Sequence, residues 1–159
     1  MLTAAGLSPK RSRGQNFLID PNTTRRIVEL ARDPVELFEE APLEQLPLQP
    51  RSVRVAVHTP CTLQHALKLN GRIEGILTRL GYELCAVHEG HLCCGSAGTY
   101  SMLQPNLSSR LRSRKLQALT TDHPDIIVSA NIGCLVHLAG GDNVPVKHWL
   151  NLLADDLAA

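Results

Sequence analysis

The residues of this sequence best suited to chemistry are four cysteines, Cys61, Cys93, Cys94 and Cys134. Cys93 and Cys94 are adjacent and begin a glycine-containing stretch that ends at Gly98. Successive side chains on a strand point to opposite faces, so two neighbouring thiols can serve one centre only where the backbone turns sharply. Glycine permits such a turn. Because thiolates bind zinc and iron–sulfur clusters, the stretch predicts a metal centre.

The spacing of the cysteines places them after separate predicted strands. There are 31 residues between Cys61 and Cys93, and 38 residues between Gly95 and Cys134. Each cysteine lies at the end of an apolar, strand-like run or in the turn after it. In an open α/β sheet the loops at the carboxyl ends of the strands share one edge, where ligands bind. We therefore expect the four thiols to converge at that edge around zinc or an iron–sulfur cluster.

The rest of the pattern alternates strands with helices and so predicts an α/β fold, with a mainly parallel sheet flanked by helices and the cysteine site at the carboxyl ends of the strands. Predicted strands cover 53–57, 82–87, 125–129 and, more briefly, 144–146. Apolar residues at helical spacing predict helices over 61–80, 99–119 and 148–157. In the helix at 99–119 the expected core residues are Leu103, Leu107, Leu111, Leu116 and Leu119.

Two details of these helices bear on the site. Asn70-Gly71 interrupts the first helical pattern, which indicates a kink or a break. The second pattern starts at about Thr99, so Cys93 and Cys94 are expected near a helix N-terminus, whose partial positive charge favours thiolate.

The first third of the chain differs in character. Asp33-Pro34 is a helix-capping signal, and the prolines at positions 42, 47 and 50 are typical of a linker. This composition divides the chain into an N-terminal helical extension with a proline-rich linker, 1–52, and a cysteine-rich domain, 53–159. We expect residues 1–50 to pack only weakly against that domain.

Composition excludes several classes of function. The net charge of +1 gives no general attraction to nucleic acid, and the two Tyr and two Phe are too few for base-stacking platforms. The apolar runs are too short to span a bilayer, and the basic N-terminus is not followed by the apolar core of a secretory signal. Five cysteines in such a chain favour metal binding in the cytoplasm over a disulfide framework.

Four separate segments resemble one known family. They are His58–His65, His91–Tyr100, Ala130–Cys134 and Pro145–Trp149, and they follow one another in the family's order. The stretch of about 53–157 that contains them is similar to the cysteine-rich CCG domain of heterodisulfide reductase-type proteins, and more closely to that of the glycolate oxidase iron–sulfur subunit.

The resemblance implies an iron–sulfur electron-transfer module held by Cys61, Cys93, Cys94 and Cys134. His137 lies where related domains often carry a final cysteine, and it is a candidate additional ligand or supporting residue. The implied partners are the flavoprotein subunits that oxidise glycolate, at the inner face of the cytoplasmic membrane. The family's subunit also has ferredoxin-type segments and a second CCG domain, so this chain resembles its C-terminal half. Zinc, held as a purely structural ion, is the alternative centre.

Four further residues lie near these cysteines in the sequence. Cys85 falls inside the second predicted strand and is expected to fill the core. The histidines at positions 58, 65 and 91 flank the ligand cysteines, where they could donate hydrogen bonds to sulfur or serve as ordinary polar residues at strand ends.

A run of basic residues on the predicted helix over 99–119 comprises Arg110, Arg112, Arg114 and Lys115. Such a run usually forms a solvated face, which is the interpretation preferred here. A docking patch for an acidic partner is the alternative.

Residues 10–32, which include Gly14-Gln15-Asn16-Phe17-Leu18, resemble the opening of ribosomal RNA adenine dimethyltransferases. In that family this segment lies against S-adenosylmethionine. The glycine-rich loop and the later catalytic segment of those enzymes have no counterpart in this sequence, so a remnant methyltransferase is the weakest of the three hypotheses.

Overall fold

The computed structural model describes residues 30–141 and 144–157, together with Asn22 and Arg26. The elements in chain order are α1 (Pro34–Glu40), a 3-10 turn (Leu43–Gln45), β1 (Arg54–His58), a π-helical segment (Thr62–Leu67), α2 (Arg72–Arg79), β2 (Glu83–Leu84), α3 (Tyr100–Leu103), α4 (Pro105–Thr120), β3 (Ile126–Ser129), α5 (Ile132–Ala139), β4 (Val146–His148) and α6 (Trp149–Asp155).

Within the described residues, four parallel strands form one sheet in the order β2–β1–β3–β4, which confirms the predicted α/β fold. The central pair runs in register from Val55 beside Ile126 to His58 beside Ser129. The chain adds β2 on one side of β1, and then β3 and β4 on the other side. The strand order therefore reverses between β1 and β3, and open α/β sheets bind ligands beyond the carboxyl ends of the strands at such a point.

The central strands separate two apolar cores. Val55 and Val57 belong to a large core with Trp149 of α6, whereas Ala56 belongs to a second core beneath α4 and α5. Because side chains alternate along a strand, His58 faces the same side as Ala56. Cys94 and Cys134 are members of that second core, so the sheet directs His58 towards the cysteines.

The predicted helix over 99–119 is wrong in one respect, because it is two helices. The short α3 ends at Leu103 and α4 begins at Pro105, whose ring cannot continue a preceding helix. As a result Leu103 is 72% exposed and Leu107 is 44% exposed, so neither is a core residue. Leu116 and Leu119 are buried as predicted.

The break predicted at Asn70-Gly71 is confirmed. Lys68 and Gly71 both have positive φ, 59° and 79°, and they separate the π-helical segment from α2. The predicted strands differ from the observed ones mainly in their ends: β1 and β4 lie one and two residues further along the chain, and β2 is reduced to Glu83–Leu84.

The part of the extension that begins at Asp33 contributes residues to the large core. Asp33 caps α1 and forms a capping box with Glu36, as the sequence signal indicates. Val35 of α1 is fully buried in the large core, and the ring of Phe38 meets that of Trp149 edge-on with centroids 5.0 Å apart. The expectation of weak packing is therefore wrong for the described part of the extension, because α1 covers apolar surface of α6.

Asp156 binds the C-terminal end of the linker through hydrogen bonds. The Asp156 carboxylate is buried, and it accepts hydrogen bonds from the Tyr82 hydroxyl at 2.7 Å and from the Arg51 guanidinium. Its backbone carbonyl accepts a hydrogen bond from the Gln49 amide at 2.8 Å. This network joins the linker, the start of β2 and the end of α6.

Tyr82→Phe is expected to lower the free energy of unfolding by about 2 kcal/mol, because it removes a hydrogen bond to a buried charge. Burial, and then the bond to Asp156, raise the pKa of Tyr82. A raised pKa means that the stabilisation is present below the unfolded tyrosine's value of about 10 and is lost as the pH rises above it. Urea unfolding at pH 7 and at pH values above about 10 tests this: the difference between the two proteins should shrink at high pH. A constant difference would contradict it.

Candidate metal centre

All four predicted cysteines line one cleft with a volume of about 420 Å³. The cleft lies beyond the carboxyl ends of β1 and β3, where the strand order reverses. Cys61 reaches it from the start of the π-helical segment, Cys93 and Cys94 from the loop after β2, and Cys134 from the first turn of α5. The predicted convergence on one edge is confirmed, and all five described cysteines are free thiols.

A glycine-containing turn follows the adjacent thiols, as the sequence predicts. Gly95 has a φ of 94° and Gly98 a φ of 51°, both in the left-handed region. The Gly95 amide lies 3.3 Å from Cys93 Sγ, and its carbonyl accepts a hydrogen bond of 2.7 Å from the Ser108 hydroxyl of α4. Gly95, at the start of the turn, is thus bonded both to α4 and to a cysteine sulfur.

Cys94 and Cys134 form a buried pair. Their sulfurs are 3.2 Å apart, and the Ser96 hydroxyl lies 3.2 Å from Cys94 Sγ. Hydrogen bonding from Cys134 lowers the pKa of Cys94 to about 5, whereas the same contact raises the pKa of Cys134. The pair therefore holds one thiolate at neutral pH, with the proton retained by Cys134.

Cys134, rather than Cys93 and Cys94, lies at a helix N-terminus. Asn131 caps α5, and its side chain accepts the Cys134 amide proton at 3.2 Å. The expectation that Cys93 and Cys94 lie near the N-terminus of a long helix is wrong, because the helix that follows them is only the short α3.

Cys61 and Cys93 are the more accessible members of the set. Cys61 is exposed and Cys93 is half-buried. Partial desolvation of its sulfur in the cleft, and then the neighbouring Cys93, raise the pKa of Cys61. The cleft therefore has a buried side, formed by Cys94 and Cys134, and an open side, formed by Cys61 and Cys93.

His58 is the histidine that the fold brings to the thiols. Its ring supplies one of three potential ligand atoms, with the sulfurs of Cys94 and Cys134, that all lie within 4.8 Å of one another. Nδ1 is 3.0 Å from the Ser129 hydroxyl, its register partner on β3. Burial, and the charge of Lys115, lower the pKa of His58 to about 3, so the ring is neutral at physiological pH.

The other histidines are placed differently. His137 Nε2 lies 3.1 Å from the Ser108 hydroxyl and beside Gly95, so it supports the glycine turn from outside the group formed by His58, Cys94 and Cys134. His65 and His91 are exposed, and among the hydrogen bonds of the described residues neither contacts a cysteine sulfur. The role of His137 as a ligand stays a prediction.

Sequence reasoning missed the position of Lys115. The basic run was expected to face solvent, and Arg110 and Arg114 do so, but Lys115 is fully buried. Its ammonium donates a hydrogen bond of 3.0 Å to the Gly90 carbonyl, in the loop that leads to Cys93. Cys85 is buried in the second core, and its thiol lies 3.6 Å from the Asp122 carbonyl, away from the cleft.

This donor set suits a thiophilic metal or cluster. Four sulfurs and one neutral imidazole nitrogen are the ligand types that zinc and iron–sulfur clusters take from proteins. The Ser129 hydroxyl at His58, and the backbone and hydroxyl groups near Cys93 and Cys94, can orient those ligands. The residues present therefore fit either a cluster or a zinc ion.

Comparison with known proteins places this chain in one family. The cysteine-rich domain family named CCG matches residues 55–139, more than half of the chain. The chain belongs to the CCG cysteine-rich domain family. The match contains all four cysteines of the cleft, together with His58, Lys115 and His137.

Several longer proteins are similar to this chain. The glycolate oxidase iron–sulfur subunit of Escherichia coli K12 is 46% identical over 143 residues, which cover 90% of this chain and 35% of that subunit. Lactate utilization protein A of Shouchella clausii is 26% identical, covering 86% of this chain and 61% of that protein. The Geobacillus thermodenitrificans protein of the same name is 31% identical, covering 63% and 44%. This chain thus spans about a third to three fifths of these relatives.

Two other expectations can be compared with these results. The resemblance of residues 10–32 to ribosomal RNA adenine dimethyltransferases finds no support in the comparisons, and most of that segment lies outside the described residues. In the part of the chain that the structure describes, none of the helices has the length and apolar character needed to cross a bilayer.

Proposed function

We propose that this chain is an iron–sulfur electron-transfer module of an oxidoreductase complex that oxidises glycolate or a related 2-hydroxy acid. The observation that carries the proposal is the convergence of four thiols on one cleft at the switch point of the sheet. The names of the relatives, which refer to a glycolate oxidase iron–sulfur subunit and to lactate utilization, support this substrate class. A bound cluster would accept and release single electrons.

In this proposal Cys61, Cys93, Cys94 and Cys134 are the ligands of the cluster. The Cys94–Cys134 pair anchors its buried side, and the exposed Cys61 closes the open side. His137 supports the glycine turn through Ser108. The chain is then a non-catalytic subunit, because a flavoprotein partner carries out the oxidation of the substrate. Electrons leave the complex at the inner face of the cytoplasmic membrane.

The match to the CCG family, over 55–139, also supports the proposed division of the chain. In this division residues 53–159 form the cysteine-rich domain and residues 1–52 form an extension whose described part covers α6. The extension contributes to folding rather than to the metal centre.

A structural zinc ion is the second candidate, and one observation favours it. His58, Cys94 and Cys134 offer a mixed nitrogen and sulfur donor set within 4.8 Å, which is suitable for zinc without the participation of Cys61. Such an ion would hold β1, α5 and the glycine turn together and would have no redox role.

Anaerobic purification of the full chain, followed by iron, acid-labile sulfide and zinc analysis and an absorption spectrum, separates the two candidates. The cluster proposal expects a brown protein with iron and sulfide in similar amounts, and loss of both in Cys61→Ser. A colourless protein with about one zinc per chain, retained in Cys61→Ser, would contradict it.

A further inference from the structure

The buried ammonium of Lys115 has no anionic partner of the usual kind. Its side chain is fully buried in α4, beside Leu116 of the second core. Among the described residues no carboxylate lies within salt-bridge distance of its nitrogen, and its hydrogen bond goes to the Gly90 carbonyl. An ammonium has three N–H donors, and a lysine is rarely buried unless its charge is paired. This cation therefore needs a counter-charge near its position.

The cysteines of the cleft, Cys94 above all, are the groups whose negative charge acts on Lys115. Burial lowers the pKa of its ammonium, while the Cys94 thiolate, and then Cys61, Cys134 and Cys93 once they lose their protons to a bound metal, act in the opposite direction. His58 also senses this cation, because the charge of Lys115 helps to lower the pKa of the His58 ring. One buried cation thus lies within electrostatic range of the whole donor set.

We propose that Lys115 is the built-in counter-charge of the metal centre, and that it sets both the affinity of the cleft for metal and the reduction potential of a bound cluster. The inference rests on the proposed function for the second of these effects only. Four thiolates around a cluster core of charge about +2 leave a net charge of about −2, which is costly away from water. A fixed ammonium offsets part of that charge and favours the reduced, more negative state.

Lys115→Met tests the proposal on the full chain, because methionine has a similar length and no charge. Zn²⁺ affinity of the metal-free protein, measured against a chromophoric chelator, should fall about 10- to 100-fold. The reduction potential of the cluster-containing protein should become more negative, because the reduced cluster loses a nearby positive charge. A shift of about 59 mV corresponds to a tenfold change in the equilibrium between the oxidised and reduced cluster.

Two control variants separate charge from other effects. Arg110→Met removes an exposed positive charge from the same helix and should change neither the Zn²⁺ affinity nor the potential. Gln64→Leu removes the other side-chain hydrogen bond to the Gly90 carbonyl, 2.9 Å long, and retains the charge of Lys115. If Lys115 acted only by holding this loop, Gln64→Leu and Lys115→Met would weaken Zn²⁺ binding equally, and the proposal would be overturned.

The role of Lys115 as a counter-charge can be tested independently of whether the native centre is an iron–sulfur cluster. Wild-type protein without iron and sulfide would refute the cluster, yet the Zn²⁺ measurement would still decide the role of Lys115. Unchanged Zn²⁺ affinity in Lys115→Met would overturn the counter-charge, whatever the native metal is. If Lys115→Met does not fold, as judged by circular dichroism, Lys115→Gln provides the same comparison with a polar, uncharged side chain.

Discussion

Cys94→Ser is expected to abolish the metal centre, with no iron, sulfide or zinc retained after purification. Cys94 is almost fully buried, and its sulfur contacts both Cys134 Sγ and the Ser96 hydroxyl. The neighbouring groups lower the pKa of Cys94 to about 5, so it supplies a thiolate at neutral pH. A serine hydroxyl does not ionise in this range and is not a ligand for a thiophilic metal. Metal analysis and the absorption spectrum of the purified variant measure the effect.

Cys85→Ser is the matched control for this prediction. Cys85 is also a buried thiol of the second core, but it does not line the cleft, and its sulfur lies 3.6 Å from the Asp122 carbonyl. A serine hydroxyl can donate to the same carbonyl, so this variant should keep its metal and lose only about 1 kcal/mol of stability. Equal loss of metal from both variants would mean that the ligands are misassigned.

The convergence of the cysteines could be predicted because it follows from chain connectivity. Parallel strands deliver their carboxyl ends to one edge, so any residue placed after β1, β2 or β3 reaches the same region. The glycines at positions 95 and 98 could be predicted to turn the chain, because adjacent thiols require it. No information on side-chain packing was needed for either conclusion.

Lys115 shows where local pattern is insufficient. A run of basic residues suggests solvent for all its members, but a helix has one face on the core, and Ser108, Lys115 and Leu119 recur on it. The spacing from Leu119 was the available signal. The helical spacing favours a buried Lys115, but its charge favours exposure to solvent. Nothing in the sequence shows that a set of negative groups lies opposite that position.

The packing of α1 depends on contacts that are distant in sequence. Val35 and Phe38 pack in the core that contains Trp149, more than a hundred residues further along the chain. The prolines of the linker, at positions 42, 47 and 50, are equally compatible with a loose segment and with a closely packed one. Only the three-dimensional structure shows that the linker ends at the Asp156 network.

Gly95→Ala is expected to lower the free energy of unfolding by about 3 kcal/mol or more and to impair metal binding with it. The φ of 94° is unfavourable for any residue with a Cβ, at a cost of about 1–2 kcal/mol. An alanine Cβ would also lie 2.6 Å from the Ser108 carbonyl oxygen and 3.2 Å from His137 Nε2. The first of these atoms belongs to the backbone of α4, so relief requires movement of the helix or the turn, at a further cost of about 1–3 kcal/mol.

Gly98→Ala, three residues further along, separates the two contributions. Its φ of 51° is also positive, but no atom lies within 4 Å of an added Cβ. It should therefore lose about 1 kcal/mol, from backbone strain alone. Urea unfolding of both metal-free variants measures the difference, and Zn²⁺ titration shows its effect on Cys93 and Cys94. If both variants lose the same stability, the contact between the turn and α4 contributes nothing, and Gly95 is required only for its backbone conformation.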